Sequence, residues 1–197
     1  MDELKNHQGH LFIISAPSGT GKTTVSQAVV KRLSVQYHLS IVITHTTREP
    51  RGQEVTGQDY HFVSRDEFLR KQAAGFFLET TEYNNNFYGS PASIKTGLLQ
   101  GKSFVLVPDR AGAIRIRELF DAPVLIWLEP PSLEELRCRL ELRGHETAEQ
   151  IERRLVIARQ EMAAEKEQPI FDHHIVNDNF EDTVNKVCSI IQQTLSI

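Results

Sequence analysis

The sequence predicts an α/β fold in which a parallel β-sheet lies between two layers of helices. Short apolar runs alternate with helical patterns along the chain, which is typical of β-α-β units. The composition is that of an ordinary globular protein, with 40% hydrophobic and 24% charged residues. A length of 197 residues suits one core domain with a small insertion and disfavours two large domains.

The alternation can be followed from the amino end of the chain. Apolar runs of strand length lie at 11–16, 41–44, 103–108, 124–128 and 175–176. Helical patterns lie at 23–33, 114–120 and 133–142, and a final helix is expected in the last part of the chain. Capping-box spacing predicts further helix starts at Ser64, Ser132 and Thr147, and Ser90 followed by Pro91 predicts one more.

Residues 47–90 interrupt this regular alternation. Glycines and a run of asparagines separate short strand-like pieces there, at Gly52, Gly57, Gly75 and 84–86. Such punctuation predicts a small inserted subdomain of antiparallel strands and turns. The core domain would then comprise residues 1–46 and 91–197.

A polar stretch at 143–150 joins two capped helices. It is either a mobile lid or an ordinary surface connection, and the spacing alone favours the connection. Arginines are concentrated in and around it, at Arg137, Arg139, Arg143, Arg153, Arg154 and Arg159. Because the net charge of the whole chain is −4, a polyanionic ligand must be bound locally, and a non-specific nucleic-acid binder is not expected.

The cysteine and apolar patterns indicate the cellular setting. Cys138 and Cys188 lie far apart and have no metal-ligand spacing, so neither a disulfide framework nor a zinc site is predicted. The apolar run at 11–16 is too short for a signal-peptide core or a membrane span. We therefore expect a soluble, cytoplasmic protein that associates with neither nucleic acid nor membranes.

A glycine-rich segment connects the first strand to the first helix. It consists of Ala16, Pro17, Ser18, Gly19, Thr20, Gly21, Lys22, Thr23 and Thr24. The two glycines let backbone N–H groups point at phosphate oxygens, and the helix N-terminus favours negative charge. Lys22 can reach the β- and γ-phosphates, and the Thr23 hydroxyl can bind Mg²⁺. Although Ala16 replaces the usual first glycine, the segment is predicted to be a phosphate-binding loop (P-loop).

A P-loop indicates a nucleoside triphosphate but leaves the reaction open. GTPases, motor ATPases and small-molecule kinases all carry one. The Asn-Lys-x-Asp motif expected of a GTPase is absent from the sequence. A single small α/β domain with an insertion favours a kinase that phosphorylates a small acceptor.

Several further segments carry a family resemblance. They are 44–63, 87–90, 129–132, 143–144, 153–155 and 176–178. In this order they are similar to the motifs of guanylate kinase, and they extend over nearly the whole chain. The resemblance implies a P-loop three-layer α/β fold, with 47–90 as a GMP-binding subdomain and 143–150 as a mobile lid.

The resemblance also implies an activity. The chain would bind ATP and GMP, as a monomer or homodimer, and transfer a phosphoryl group with Mg²⁺ as cofactor to give ADP and GDP; dGMP would also serve. One alternative is a non-catalytic guanylate-kinase-like interaction module, which would be marked by a damaged P-loop. The other is a kinase of another phosphorylated small molecule, which would be marked by loss of Arg48 or Glu79.

The acceptor nucleotide is assigned by resemblance to Thr44, Arg48, Arg51, Tyr60, Glu79, Tyr88, Ser90 and Asp109. Two guanidinium groups and two phenols suit a monophosphate dianion. A carboxylate suits guanine, which offers N1–H and an amino group on one edge, whereas adenine presents an acceptor at N1. Without the resemblance, the arginines would be interpreted as solvated turn residues and Glu79 as an exposed strand carboxylate.

Catalysis is assigned by resemblance to Lys22, Arg51, Arg143 and Arg154. ATP would also contact Arg139 and Asn177, in addition to the P-loop, and Mg²⁺ would contact Thr23. For the arginines near the lid, the alternative is ordinary pairing with residues four positions away on a helix.

One departure from the family pattern concerns the end of the third parallel strand. The family commonly has Asp-Ile-Asp where this chain has Val107-Pro108-Asp109, so a carboxylate that could hold magnesium-bound water is missing. Either Asp109 or Glu129 takes its place, or turnover and metal dependence are impaired. Arg110 has no explanation in the family pattern.

Overall fold

The computed structural model describes residues 9–83, 85–144 and 146–196. In chain order the elements are β1 (Leu11–Ser15), α1 (Lys22–Tyr37), β2 (Leu39–Ile41), β3 (His45–Thr46), β4 (His61–Phe62), α2 (Arg65–Ala73), β5 (Phe77–Tyr83), β6 (Asn86–Pro91), α3 (Ser93–Leu99), β7 (Ser103–Leu106), α4 (Arg110–Leu119), β8 (Val124–Glu129), α5 (Leu133–Arg143), α6 (Ala148–Glu167), β9 (His173–Val176) and α7 (Phe180–Leu195). Residues 1–8, Asn84, His145 and Ile197, which the predicted domains and lid include, lie outside the described residues.

The central sheet has five strands in the order β2-β7-β1-β8-β9, and every pairing in it is parallel. The predicted parallel α/β fold is therefore confirmed. Alternate residues of β1 enter two different cores, as the two-residue period of a strand requires. Phe12 and Ile14 pack with α1 and α7, whereas Leu11 and Ile13 pack with α3 and α4. The sheet is thus covered by helices on both faces.

A second sheet, of four strands in the order β4-β3-β6-β5, extends from His45 to Pro91. Its β5–β6 and β3–β6 pairs are antiparallel, as expected for the insertion, but β3 and β4 pair in parallel. The helix start predicted at Ser90-Pro91 is wrong. Both residues belong to β6, where Ser90 pairs with Glu79, and α3 begins only at Ser93.

The stretch predicted as a lid lies between α5 and α6. Gly144 ends α5 with a φ of 65°, a left-handed conformation that favours glycine. Thr147 and Gln150 form the predicted capping box, which starts α6. The two helices are joined by a separate apolar cluster that contains Leu136, Leu140, Ile151, Leu155 and Ala158. Mobility of the stretch and the domain boundaries stay predictions.

Within the described residues, no helix combines the length and the apolar character that crossing a membrane would require.

Candidate active site

A cavity of about 410 Å³ lies at the carboxyl ends of β1 and β7. Residues from several regions line it: the P-loop and α1, the second sheet with the loop between β3 and β4, residues 107–109 after β7, the end of α5, and α6. Most of the predicted site residues are among them: Ser18, Gly19, Gly21, Lys22, Thr23, Thr24, Thr44, Arg48, Arg51, Tyr60, Glu79, Tyr88, Ser90, Asp109, Arg143 and Arg154. The fold therefore brings together residues that lie up to 136 positions apart, from Ser18 to Arg154.

The P-loop leads directly into the N-terminus of α1. Gly19 and Gly21 have φ values of 96° and 95°, which L side chains rarely adopt. No described side chain caps α1, so its first N–H groups remain available to an anion. Burial lowers the pKa of the Lys22 ammonium, while the carboxylates of Glu161 and Asp109 oppose this effect. This end of the cavity is suited to polyphosphate.

Other predicted ATP residues support the loop from outside the cavity lining. The Asn177 side-chain amide donates to the Thr20 carbonyl at 2.7 Å. Arg139 donates from Nε to Glu135 at 2.9 Å and from Nη1 to the Asn177 carbonyl at 2.9 Å. The lining, as the described residues define it, does not include Ala16, Pro17, Thr20, Arg139 or Asn177. Asn177 thus holds the P-loop through the Thr20 carbonyl, and Arg139 holds Asn177.

Two arginines face the second sheet, and Glu54 orients them. Nη1 and Nη2 of Arg48 donate to the two oxygens of the Glu54 carboxylate, at 2.9 and 3.0 Å. The Arg51 backbone N–H also donates to this carboxylate, at 2.7 Å. Burial alone would lower the pKa of Arg48, but the hydrogen bond and charge of Glu54 raise it. Arg48 also lies 5.3 Å from the centre of the Tyr60 ring, and Tyr88 lies beside that ring at 6.2 Å.

A buried carboxylate faces the other end of the acceptor pocket. Ser90 donates its hydroxyl to Oε1 of Glu79 at 2.7 Å, while Oε2 is buried with no hydrogen-bond partner among the described residues. Burial raises the pKa of Glu79 to about 7; the Ser90 hydrogen bond opposes this rise and Asp109 adds to it. Both oxygens of Asp109 accept hydrogen bonds, from Thr81 at 3.1 Å and from the Gly112 N–H at 2.7 Å. Of these two carboxylates, Glu79 is the one that keeps an oxygen without a partner among the described residues.

The arginines near the lid reach the P-loop and the acceptor side. Arg154 is only 7% exposed and pairs with Glu146 at 2.5 Å. Arg143 reaches the Gly19 carbonyl at 3.5 Å. Burial lowers the pKa of Arg51, and the nearby charge of Arg154 lowers it further. Because these cations converge on one space, the site is built to receive more than one anionic group.

Sequence reasoning missed a second buried carboxylate, Glu161 of α6. Its Oε2 is buried without a hydrogen-bond partner in the described part of the chain. Burial raises the pKa of Glu161 to about 7, against the influence of the neighbouring Lys22 charge. The available signal was its spacing from Arg154, because residues seven positions apart share one face of a helix.

The departures at 107–110 also have structural outcomes. Val107 lines the cavity with an aliphatic side chain that packs against the core. Glu129, one of the two carboxylates expected as a substitute, lies outside the cavity lining, and its Oε1 is 3.2 Å from Nδ1 of His174. Arg110 pairs with the buried Glu165 at 3.0 Å. Arg110 therefore forms a structural ion pair and is not among the residues that line the cavity.

Comparison with known proteins shows the family of this chain. The guanylate kinase family model matches residues 8–194. A guanylate kinase of Hahella chejuensis is 40% identical over 186 residues, which cover 94% of this chain and 86% of the relative. One of Psychrobacter arcticus is 40% identical over 95% of this chain and 89% of the relative. The crystal structure of guanylate kinase from Anaplasma phagocytophilum has a TM-score of 0.78 and 31% identity, covering 98% of this chain and 88% of that chain. The chain belongs to the guanylate kinase family.

Proposed function

We propose that this protein transfers the γ-phosphoryl group of ATP to GMP, and to dGMP, giving ADP and GDP or dGDP. One observation carries the proposal: the same cavity is lined by the P-loop lysine, Lys22, and by Glu79, which has a buried carboxylate oxygen without a hydrogen-bond partner among the described residues. Guanine can donate two hydrogen bonds from one edge to a carboxylate. Adenine would place an acceptor against it, which costs binding because a buried acceptor is left unsatisfied.

The donor binds at the P-loop. The N–H groups of the loop and of the first turn of α1 cradle the phosphates of ATP, and Lys22 contacts the oxygens that gain charge during transfer. Ala16, Pro17, Thr20, Arg139 and Asn177 belong to the same ATP site, where Arg139 and Asn177 also hold the loop in shape through the Thr20 carbonyl. Six of the nine loop residues line the cavity, and the other three, Ala16, Pro17 and Thr20, lie outside the lining.

Magnesium fits the donor side through the Thr23 hydroxyl, which lines the cavity. Among the described residues, no group of three or more His, Cys, Asp or Glu side chains is arranged to hold a metal ion. Mg²⁺ retains water and phosphate ligands readily, so one protein oxygen is compatible with binding. When bound, the ion supplies charge neutralisation on the phosphates.

The acceptor phosphate binds between Arg48, Arg51, Tyr60 and Tyr88. Glu54 fixes the guanidinium of Arg48 through two hydrogen bonds, so the arginine is ordered before GMP arrives. Thr44, Ser90 and Asp109 complete the base side. The Thr44 hydroxyl would donate to guanine O6 or N7, the Ser90 hydroxyl could do so only by turning its hydrogen away from Glu79, and Asp109 lies beside Glu79. The resulting pocket would orient one phosphate oxygen toward the donor.

The transfer step needs alignment and positive charge more than proton transfer. Phosphoryl transfer spreads charge over the equatorial oxygens in a loose transition state. Arg51, Arg143 and Arg154 lie where the two phosphate groups would meet, and a dianionic acceptor attacks without a general base. Closure of residues 143–150 would bring the lid arginines over the γ-phosphate and exclude water.

The remaining expectations belong to the same proposal. We infer one core domain of residues 1–46 and 91–197 with a GMP-binding insertion at 47–90. The protein would act in the cytoplasm as a monomer or homodimer, without nucleic-acid or membrane partners. A non-catalytic interaction module is disfavoured by the intact Gly21-Lys22-Thr23, and a kinase of another phosphorylated molecule by the presence of Arg48 and Glu79.

A coupled assay of ADP formation tests the proposal. ATP is combined with GMP, dGMP, AMP, CMP or UMP, and turnover is expected with the two guanine nucleotides. Lys22→Ala should abolish transfer, whereas Lys31→Ala, which changes an exposed lysine of the same helix, should leave it unchanged. Absence of turnover with GMP, or full turnover in Lys22→Ala, would contradict the assignment.

A further inference from the structure

The loop between β3 and β4, residues 47–60, carries most of the groups proposed to bind the acceptor phosphate. It contains Arg48, Arg51 and Tyr60, all of which line the cavity. Its first part is ordered by Glu54, whose carboxylate accepts from both Nη atoms of Arg48 and from the backbone N–H of Arg51. In its second part, the Val55 carbonyl accepts from the N–H groups of residues 58 and 59, both at 3.1 Å. The loop therefore contains two consecutive turns, with hydrogen bonds inside each.

Asp59 connects the second turn to the core of the molecule. Its Oδ2 accepts from the Val55 N–H at 2.8 Å, and its Oδ1 accepts from Nε2 of Gln27 at 3.1 Å. Gln27 belongs to α1 and lies five positions after Lys22, and both Gln27 and Asp59 line the cavity. Because a carboxylate accepts hydrogen bonds, Gln27 must present its amide N–H to it. The loop is thus tied to the helix that begins at the P-loop.

The second sheet also contacts the core on the side where the base is proposed to bind. Thr81 of β5 donates to Oδ2 of Asp109 at 3.1 Å, and Arg115 of α4 donates to the Thr80 carbonyl. These contacts hold β5 and do not involve the β3–β4 loop. They therefore serve the base side, whereas the contact made by Asp59 serves the phosphate side.

We infer that Gln27 is a positioning residue for the acceptor phosphate: through Asp59 it holds the β3–β4 loop against α1, so that the phosphate-binding groups of the loop lie in a fixed position relative to the P-loop before GMP binds. The neighbours of the contact support this role, because Tyr60 follows Asp59 directly and Glu54 precedes Val55. The inference rests on the proposed transfer from ATP to GMP. It assigns Gln27 no contact with substrate, because the residue acts through Asp59.

Removing the donor should weaken the binding of GMP and spare the transfer step. Gln27→Met keeps the length of the side chain and the helix preference of the position, but Oδ1 of Asp59 loses this donor. Loss of one such hydrogen bond should raise the KM for GMP by about 3- to 10-fold. At saturating GMP the bound phosphate orders the loop itself, so kcat should stay within about twofold of the original value. The KM for ATP should not change.

An exchange of the two side chains tests the contact itself. Gln27→Glu places a second carboxylate against Asp59, so the KM for GMP should rise further than in Gln27→Met. When Gln27→Glu is combined with Asp59→Asn, the new amide at position 59 can donate to the carboxylate at position 27 and still accept from the Val55 N–H. This double variant has the same total charge as the original chain, and its KM for GMP should return to within about threefold of the original value.

The kinetic experiment compares these variants with Gln36→Met. Gln36 is an exposed residue of the same helix, and its amide donates to the hydroxyl of the adjacent Tyr37 at 3.1 Å, so this substitution also removes a hydrogen bond, but not one to the loop. We expect the KM for GMP to increase in Gln27→Met and in Gln27→Glu, and to match the original chain in Gln36→Met. An unchanged KM for GMP in Gln27→Met would overturn the inference, as would a double variant that recovers nothing relative to Gln27→Glu.

Hydrogen exchange separates this inference from the proposed function. Exchange of the backbone N–H groups of residues 55–60 is measured by mass spectrometry without nucleotide, since those of residues 55, 57, 58 and 59 are hydrogen-bonded within the loop. It should be faster in Gln27→Met than in the original chain and unchanged in Gln36→Met, while exchange in β5 stays constant in both. Equal exchange of residues 55–60 in Gln27→Met and the original chain overturns the role of Gln27, whereas inactivity of the original chain with GMP overturns the proposed function.

Discussion

The Ser90 hydroxyl donates to Oε1 of Glu79 at 2.7 Å, while Oε2 of the same carboxylate has no hydrogen-bond partner among the described residues. The two residues are paired across β5 and β6, so the strand register itself sets this geometry. One oxygen is held by Ser90, and the other is buried without a hydrogen-bond partner among the described residues. In the proposed function, this unpartnered oxygen is the acceptor for guanine.

Replacement of Glu79 by glutamine should reduce the preference for GMP over AMP. The amide cannot accept two hydrogen bonds from guanine as a carboxylate does, and loss of a charged hydrogen bond costs about 1.5–3 kcal/mol, or about 10- to 100-fold in kcat/KM. The ratio of kcat/KM for GMP and AMP is the measurement. Glu82→Gln changes an exposed carboxylate on the same strand and should leave the ratio unchanged. If Glu79→Gln had the same ratio as the original chain, Glu79 would not belong to the base site.

The raised pKa of Glu79 predicts a pH dependence of GMP binding. Because burial raises the pKa to about 7, a growing fraction of the carboxyl group is protonated as the pH falls below that value. The KM for GMP should therefore increase on the acid side of pH 7, and Glu79→Gln should flatten this limb. Initial rates between pH 5.5 and 8.5, with ATP saturating, would measure it. A KM that is constant over this range would contradict the prediction.

The same group predicts how stability varies with pH. Glu79 has a folded pKa near 7, above the ordinary value of 4.5, so the folded state binds the proton more tightly than the unfolded state. The contribution to stability is present below pH 4.5 and is lost as the pH rises to about 7. The Glu79→Gln variant should lose less stability over that interval than the original chain. Urea unfolding at several pH values tests this, and identical slopes would argue against it.

Arg51 should matter for GMP more than for ATP. The adjacent Arg48 is already held by Glu54, whereas burial and the charge of Arg154 make the cation of Arg51 costly until an anion arrives. Arg51→Ala should raise the KM for GMP by about 10- to 100-fold, the usual cost of a lost charge-assisted contact. Arg70→Ala, on the exposed face of α2, is the matched control. Unchanged KM values in both variants would exclude Arg51 from the acceptor site.

Sequence patterns predicted the parallel sheet because the burial of a strand is visible in the apolar residues of that strand alone. The run 11–16 is apolar on both faces, and β1 sends its side chains into two cores. The Thr147 capping box was predictable for the same reason, since both partners lie within four residues. Ser90-Pro91 was misinterpreted because the pairing of β6 with β5 overrides a local helix-start signal.

The part of the site that sequence reasoning missed depends on distant contacts. Glu161 comes near Lys22 only after α6 folds against the P-loop, and its helical spacing from Arg154 alone does not distinguish it from a solvated glutamate. Glu54 lies close to Arg48 in sequence, but their bidentate contact requires a turn whose shape is irregular. Arg110 was unexplained because Glu165 lies on another helix. In each case the role of the side chain depends on contacts formed in the folded chain rather than on the periodicity of the sequence.

The Arg110–Glu165 pair makes a prediction about stability. Glu165 is 1% exposed and Arg110 is 14% exposed, so removing the arginine leaves a buried carboxylate with two backbone donors and Nε2 of His174 at 3.4 Å. Breaking a buried pair from one side costs roughly 3 kcal/mol in free energy of unfolding. Arg110→Met should show this loss in urea unfolding, because methionine preserves the aliphatic contacts but not the charge. Arg159→Met, at an exposed position of α6, should change stability by less than about 0.5 kcal/mol. Equal stabilities of the two variants would mean that Arg110 does not anchor α6 to α4.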